Sequence, residues 1–386
     1  MEDFFVGLSQ LDFGHIVMFV IGLALIWAAI YKEYEPMLLL PIGFGAILAN
    51  FPESSAVGEH GVLTYLLNNG IKNELFPTLI FVAIGAMMDF GPLLRRPFML
   101  TFGFAAQIGI ICTMFLARFL GFNLGQSTAI GIIGAADGPT SIFVATRMAA
   151  DMLGPISVAA YSYMALVPLI QPPVVRLLTT KSERLIRMPY QGGDVSKTTR
   201  IIFPIAVTII AGLIAPMCAA LVGMLMFGNL VRECGVLERL SKSAQNELAN
   251  LVTLLLGITI GSTMTADKFL TPATLKIMAL GLGAFIFDTA GGVIFAKIAN
   301  LFLKEKVNPM VGAAGISAFP MSARVIQKIA QDEDPGNVIL PYTVSANVAG
   351  QIGSVFVGGL LLAFSTWMIA NGYDILPESV LSIFGK

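Results

Sequence analysis

The hydrophobic positions of this 386-residue chain fall into long apolar runs separated by short polar stretches. Crossing a bilayer core takes about 20 apolar residues in a helix, with roughly 17 to 25 tolerated. By that measure crossings are predicted at 13–31, 36–51, 76–94, 98–120, 156–178, 251–267, 273–299 and 338–371. The run 201–231 is too long for one crossing and carries Pro204 and Pro216, so it reads as two short helices turning near Pro216. Two further stretches are interrupted: 124–150 by Gly134-Ala135-Ala136-Asp137-Gly138-Pro139, and 308–326 by Gly312-Ala313-Ala314-Gly315-Ile316-Ser317. Irregular backbone survives at membrane depth only where it is buried in protein or faces water, so both are expected to be re-entrant hairpins. The predicted fold is an all-α polytopic membrane protein of about ten transmembrane helices plus two such hairpins.

Composition sharpens this picture. Hydrophobic residues make up 56% of the chain and charged residues 12%, too few charges to solvate the surface of a soluble enzyme. A net charge of −1 supplies no basic footprint, so no nucleic-acid partner is expected. Cys112, Cys218 and Cys234 have no metal or disulfide spacing, and His15 and His60 form no cluster. The start, Met1 to Phe5, lacks the basic region of a signal peptide, and the first apolar run is expected to stay as a membrane helix. Placing the N-terminus outside puts Lys32, Arg95, Arg96, the basic block 176–200, Arg232, Arg324 and Lys328 on the cytoplasmic side. Lys72, Arg118, Lys268 and Lys276 fall outside, and Arg147 lies in a hairpin, an asymmetry the positive-inside rule favours.

The two halves echo each other. Ile84-Gly85 with Asp89 resembles Ile260-Gly261 with Asp267, Ala117-Arg118 resembles Ala296-Lys297, Gly134-Ala135-Ala136 resembles Gly312-Ala313-Ala314, and Gln171 falls near Gln351. With the charge topology, residues 1–200 and 201–386 are expected to form inverted repeats, as in secondary transporters whose site lies where broken helices meet.

Ionisable residues at membrane depth cost about 2.5 to 3.5 kcal/mol on insertion scales and tend to face a cavity or an ion path. Asp137 stands where Gly and Pro interrupt the helix, beside free carbonyls and the hydroxyls of Thr140 and Ser141, an oxygen set suited to sodium. The structural alternative is a helix cap, and the two roles are compatible. Neutral oxygens come from Asn308 and Ser317 in the second hairpin, from Tyr342, Thr343, Ser345, Asn347 and Gln351 in the last segment, and from Tyr161, Ser162, Tyr163 and Gln171 in its counterpart. Singly, such residues serve as interhelical glue more often than as ligands. Asp89 and Asp267 read as solvated or capping, Asp288 as a secondary ion or proton position, and Arg324 as either a positive-inside anchor or an attractor for an anion.

The stretches Gly131 to Phe143, Ala160 to Pro173, Asn308 to Arg324 and Ser345 to Ser354 resemble the beta subunit of the sodium-pumping biotin-dependent decarboxylases, which serve oxaloacetate, methylmalonyl-CoA and glutaconyl-CoA. The resemblance implies an inner-membrane subunit that decarboxylates carboxybiotin while exporting sodium. It also implies a biotin carrier protein, a carboxyltransferase alpha subunit, a small membrane-anchoring subunit and a homo-oligomer. Carried over, Asp137, Asn308 and Asn347 would form one sodium site, and Tyr163 and Ser317 would serve a second site and proton delivery; with that role, Arg324 is expected to be where the carboxybiotin anion docks from the cytoplasmic side. The residues alone leave a sodium-coupled carrier of a small organic anion as the alternative.

Overall fold

In a computed structural model, which describes residues 6–188, 193 and 195–373, the chain is built from helices packed against one another, with no strand among the described residues. Part of the basic block, residues 189–192 and 194, lies outside the described residues, as do Met1 to Phe5. The longer helices are α1 (Phe13–Tyr31), α2 (Pro36–Ala49), α3 (Leu75–Met87), α4 (Met99–Ala106), α5 (Ile108–Phe119), α6 (Leu124–Gly131), α7 (Gly138–Met148), α8 (Leu153–Ala165) and α9 (Val167–Leu178). They continue with α10 (Lys197–Ile214), α11 (Ala219–Glu233), α12 (Ala249–Gly261), α13 (Pro272–Phe302), α14 (Met321–Glu333) and α15 (Leu340–Ala370).

Among the described residues five helical stretches are long and apolar enough to cross a membrane, or seven if each bent pair counts as one span. Their outer faces are apolar and bare: Phe13 is 80% exposed, Leu213 79% and Phe302 83%. Such surfaces are tolerable only against lipid or another chain, since burying apolar area is the main force available to a folded protein in water. The run 201–231 divides at Pro216 as expected, α10 ending at Ile214 and α11 starting at Ala219. Segment 156–178 is not one straight rod; α8 and α9 meet at Leu166 with a 68° bend, where Pro168 in the first turn of α9 has no amide to continue the ladder. Residues Val62–Ile71, polar at Asn68 and Asn69, form a broken helix with α3 that the apolar pattern alone does not reveal.

Two interrupted segments fill the middle. The first joins α6 to α7 and the second joins a short turn, Met310–Ala313, to α14, and both are buried at their breaks. They lie against α4, α5, α13 and α15, and their tips touch where the Ser317 amide donates to the Ala135 carbonyl at 2.9 Å.

Candidate functional site

The first break is written residue by residue. After α6 the chain tightens into a 3₁₀ turn over Ile132–Ala135, then Ala136 takes the left-handed conformation with φ 53°, a strained choice for a residue with a Cβ. Asp137 follows in extended backbone, and Pro139 sits in the first turn of α7, where its missing amide would have no partner anyway. Gly138 is required here, because a methyl group at that position would overlap the Tyr161 ring.

Asp137 is 2% exposed and caps α7 through the Thr140 amide at 3.3 Å. One carboxylate oxygen, Oδ2, accepts from three side chains: the Thr140 hydroxyl at 2.6 Å, the Gln351 carboxamide at 2.8 Å and the Ser354 hydroxyl at 2.7 Å. Oδ1 has only the long Thr140 amide contact, which leaves lone pairs for another partner. That partner has room. Asp137 and Ser317 line one cavity of about 360 Å³, together with Tyr161 and Gln351, and its wall extends to Glu35, Gln245 and Asn250. Hydrogen bonds to a charged group contribute about 1.5 to 3 kcal/mol. Ser354→Ala should therefore lower the unfolding free energy in detergent by about that amount, and a loss under about 0.5 kcal/mol would show that its hydroxyl does not support the carboxylate.

The residues singled out from sequence separate into two groups. Asp137 and Ser317 share one cavity and Asn347 holds the residue before Ser317: the Ser317 hydroxyl donates to the Gly350 carbonyl at 2.8 Å, and the Asn347 amide nitrogen donates to the Ile316 carbonyl at 2.6 Å. The Asn347 side-chain oxygen is buried with no hydrogen-bond partner among the described residues, a polar atom still lacking its complement. The others lie elsewhere. Tyr163 turns its hydroxyl to the Met278 carbonyl on α13, and Asn308 holds the carbonyls of Arg184 and Ile186 at 2.9 and 3.0 Å. Arg324 is exposed on the first turns of α14. Asp89 accepts from the Gly91 amide at 2.8 Å, two residues on, just ahead of a short helix whose cap position is Phe90.

Sequence reading missed Gln351 and Ser354 as ligands of the Asp137 carboxylate. The signal existed, since Asn347, Gln351 and Ser354 recur at i, i+4 and i+7 on one face of α15. Among the described residues no group of three or more His, Cys, Asp or Glu is arranged to hold a metal. Any cation here would be held by one carboxylate and neutral oxygens.

Ion pairs fix the outer ends of both interrupted segments. Arg147 at the end of α7 grips Glu74 with both arms of its guanidinium, and Arg184 and Arg187 tie the basic loop to Glu333 and Asp334 at the end of α14. The hydrogen bonds from Arg187 hold the half-buried Asp334 carboxyl below its usual range.

A bundle of lipid-facing helices around a buried, hydroxyl-bound carboxylate at a helix break defines the class: a multi-pass membrane protein with a polar site in its interior. A family model described as the Na+-transporting oxaloacetate decarboxylase beta subunit matches residues 14–365. The glutaconyl-CoA decarboxylase subunit beta of Acidaminococcus fermentans is 50% identical over 357 residues, covering 92% of this chain and 95% of its own. The methylmalonyl-CoA decarboxylase subunit beta of Propionigenium modestum is 48% identical over 381 residues, 92% of this chain and 96% of its own. The oxaloacetate decarboxylase beta chain of Haemophilus ducreyi is 43% identical over 425 residues, 94% and 98% of the two chains. The chain belongs to this family of membrane decarboxylase beta subunits.

Proposed function

We propose that the chain releases CO2 from carboxybiotin presented by a carrier protein and couples that step to export of sodium bound at Asp137. The observation that carries this reading is the under-coordinated Asp137 Oδ1 on a residue that shares one cavity with Ser317. One carboxylate and several neutral oxygens balance a single positive charge, which is the chemistry a hard monovalent cation needs. Glu35, Gln245 and Asn250, on the cavity wall, belong to segments that the basic residues favour placing in the cytoplasm. On that orientation this conformation takes sodium from the cytoplasmic side. Arg324, exposed beside the second break, attracts the carboxybiotin anion, and Tyr163 and Ser317 serve a second sodium and the proton that the reaction consumes. Asn308, bound here to the Arg184 and Ile186 carbonyls, joins the sodium ligands only if the loop that it holds moves.

The breaks themselves belong to inverted repeats of about ten helices in this reading. Gly131 packs on the Ile110 carbonyl as Gly312 packs on Gly292, and Gly134 packs on Ala284 as Gly315 packs on Phe102 and Ala106. Each related pair is about 180 positions apart, and π-helical turns at Leu67–Ile71 and Ala244–Leu248 lie ahead of α3 and α12, the first across a bend and the second without one. A carboxyltransferase, a biotin carrier and a small anchoring subunit complete the complex in the inner membrane, with the beta subunit as a homo-oligomer.

Purified protein in liposomes, offered a carboxylated biotin carrier, is expected to release CO2 only with sodium present and to accumulate sodium across the membrane as it does. Sodium-driven uptake of a small organic anion without CO2 release would instead make it a carrier.

A further inference from the structure

Asp288 is fully buried in α13, and neither the fold class nor the proposed sodium ligands account for it. Its surroundings do. The stretch 99–119 breaks at Gln107, which occupies the cap position of α5 without capping it; the Gln107 carboxamide instead reaches back to the carbonyls of Gly103 and Gly315. The amide of Ile110, the third residue of α5, reaches the Gln107 carbonyl in a turn-like contact at 3.2 Å. Asp288 Oδ1 accepts from the same amide at 3.1 Å, a second partner supplied by another helix, 178 residues away. Here the carboxylate also faces the positive end of the α5 dipole.

The other oxygen points the opposite way. Oδ2 has no hydrogen-bond partner among the described residues and lies 2.8 Å from where a Cβ on Gly134 would stand. Gly134 is three residues before Asp137, in the turn that sets the break. On the opposite side a methyl at Gly109 would overlap the Asp288 carboxylate. Asp288 is thus clamped between a helix start and the backbone leading into the sodium site.

We propose that Asp288 is a positioning residue for the Asp137 site, fixing the Gly134 to Asp137 turn against the start of α5 and thereby setting sodium affinity. The inference rests on the assignment of sodium to Asp137. Replacing the carboxylate by a carboxamide puts N–H donors where Oδ2 faces the turn or where Oδ1 meets the Ile110 amide, and either choice displaces one wall of the clamp.

The test measures sodium-dependent decarboxylation in the assembled complex. Asp288→Asn is expected to raise the sodium concentration for half-maximal rate at least about tenfold, with the rate at saturating sodium within about threefold of the parent. Gly134→Ala, which presses on Oδ2 from the other side, should shift it in the same direction, and Thr113→Val, on the same helix as Ile110, should not. Asp288→Asn with unchanged half-saturation overturns the proposal, as does equal loss of maximal rate at all sodium concentrations. If Asp288→Asn does not fold, Gly134→Ala decides by the same criterion; failure of both to fold while Thr113→Val folds leaves Asp288 a purely structural role and also overturns it. Asp137→Asn run alongside separates the two readings: retained sodium dependence there removes the Asp137 assignment itself, whereas its loss beside an unaffected Asp288→Asn removes only this inference.

Discussion

Asp137→Asn should abolish sodium-dependent CO2 release and sodium transport together while leaving the protein folded. The fold survives because the three donors on Oδ2, from Thr140, Gln351 and Ser354, can all be met by the remaining carbonyl oxygen of an asparagine, and only the long 3.3 Å cap from the Thr140 amide to Oδ1 is lost. The amide nitrogen then takes the place of Oδ1 and presents N–H donors to the cavity where a cation needs lone pairs. Removing one partner of a buried charge pair costs about 3 to 5 kcal/mol, so sodium affinity should fall by two to three powers of ten or more. Paired assays of 22Na+ uptake and CO2 release, with thermal unfolding as the control for folding, check this. Coupling between two bound species is reciprocal, so fast decarboxylation by a variant that no longer binds sodium would disprove it.

How much of this was legible beforehand follows from where each interaction lives. The apolar runs, the turn at Pro216 and the Gly/Pro interruption at Asp137 are local, and a chain read in order displays them. The break at Gln107 is less visible, because Ile108 to Phe119 continues the apolar pattern and the Asp288 carboxylate that meets the Ile110 amide there comes from the other half. The donors of Asp137 were hidden for the same reason: Gln351 and Ser354 lie more than 200 residues away, and only packing decides which hydroxyl or carboxamide reaches a given carboxylate. Tyr163 is a second instance. Two tyrosines two positions apart on α8 face opposite ways, so Tyr161 borders the Asp137 cavity while Tyr163 bonds the Met278 carbonyl. Motif resemblance names the right segments; it does not rank neighbours within them.

Gly312→Val carries the second large effect, through packing instead of charge. Gly312 in the second break and Gly292 on α13 meet backbone to backbone, and a Cβ on either would overlap the carbonyl oxygen of the other. Overpacking a core by extra methyl groups costs about 1 to 3 kcal/mol where side chains can shift, and here both partners are main chain, so the cost should reach about 3 kcal/mol or more. The break would have to back away from α13, and with it would go the Ser317 amide bond to Ala135 that joins the two tips. Gly223→Ala supplies the contrast. Its added Cβ meets nothing closer than the Thr208 side chain at 3.7 Å, and alanine gains about 0.5 to 1 kcal/mol over glycine in a helix interior, so that variant should be neutral or stabilised. Thermal unfolding of both in detergent, beside the decarboxylation assay, gives the comparison: Gly312→Val unstable and inactive, Gly223→Ala intact. A folded, active Gly312→Val would mean that the tips keep their contact without close backbone packing on α13, and the carboxylate site would then owe its geometry to α15 alone.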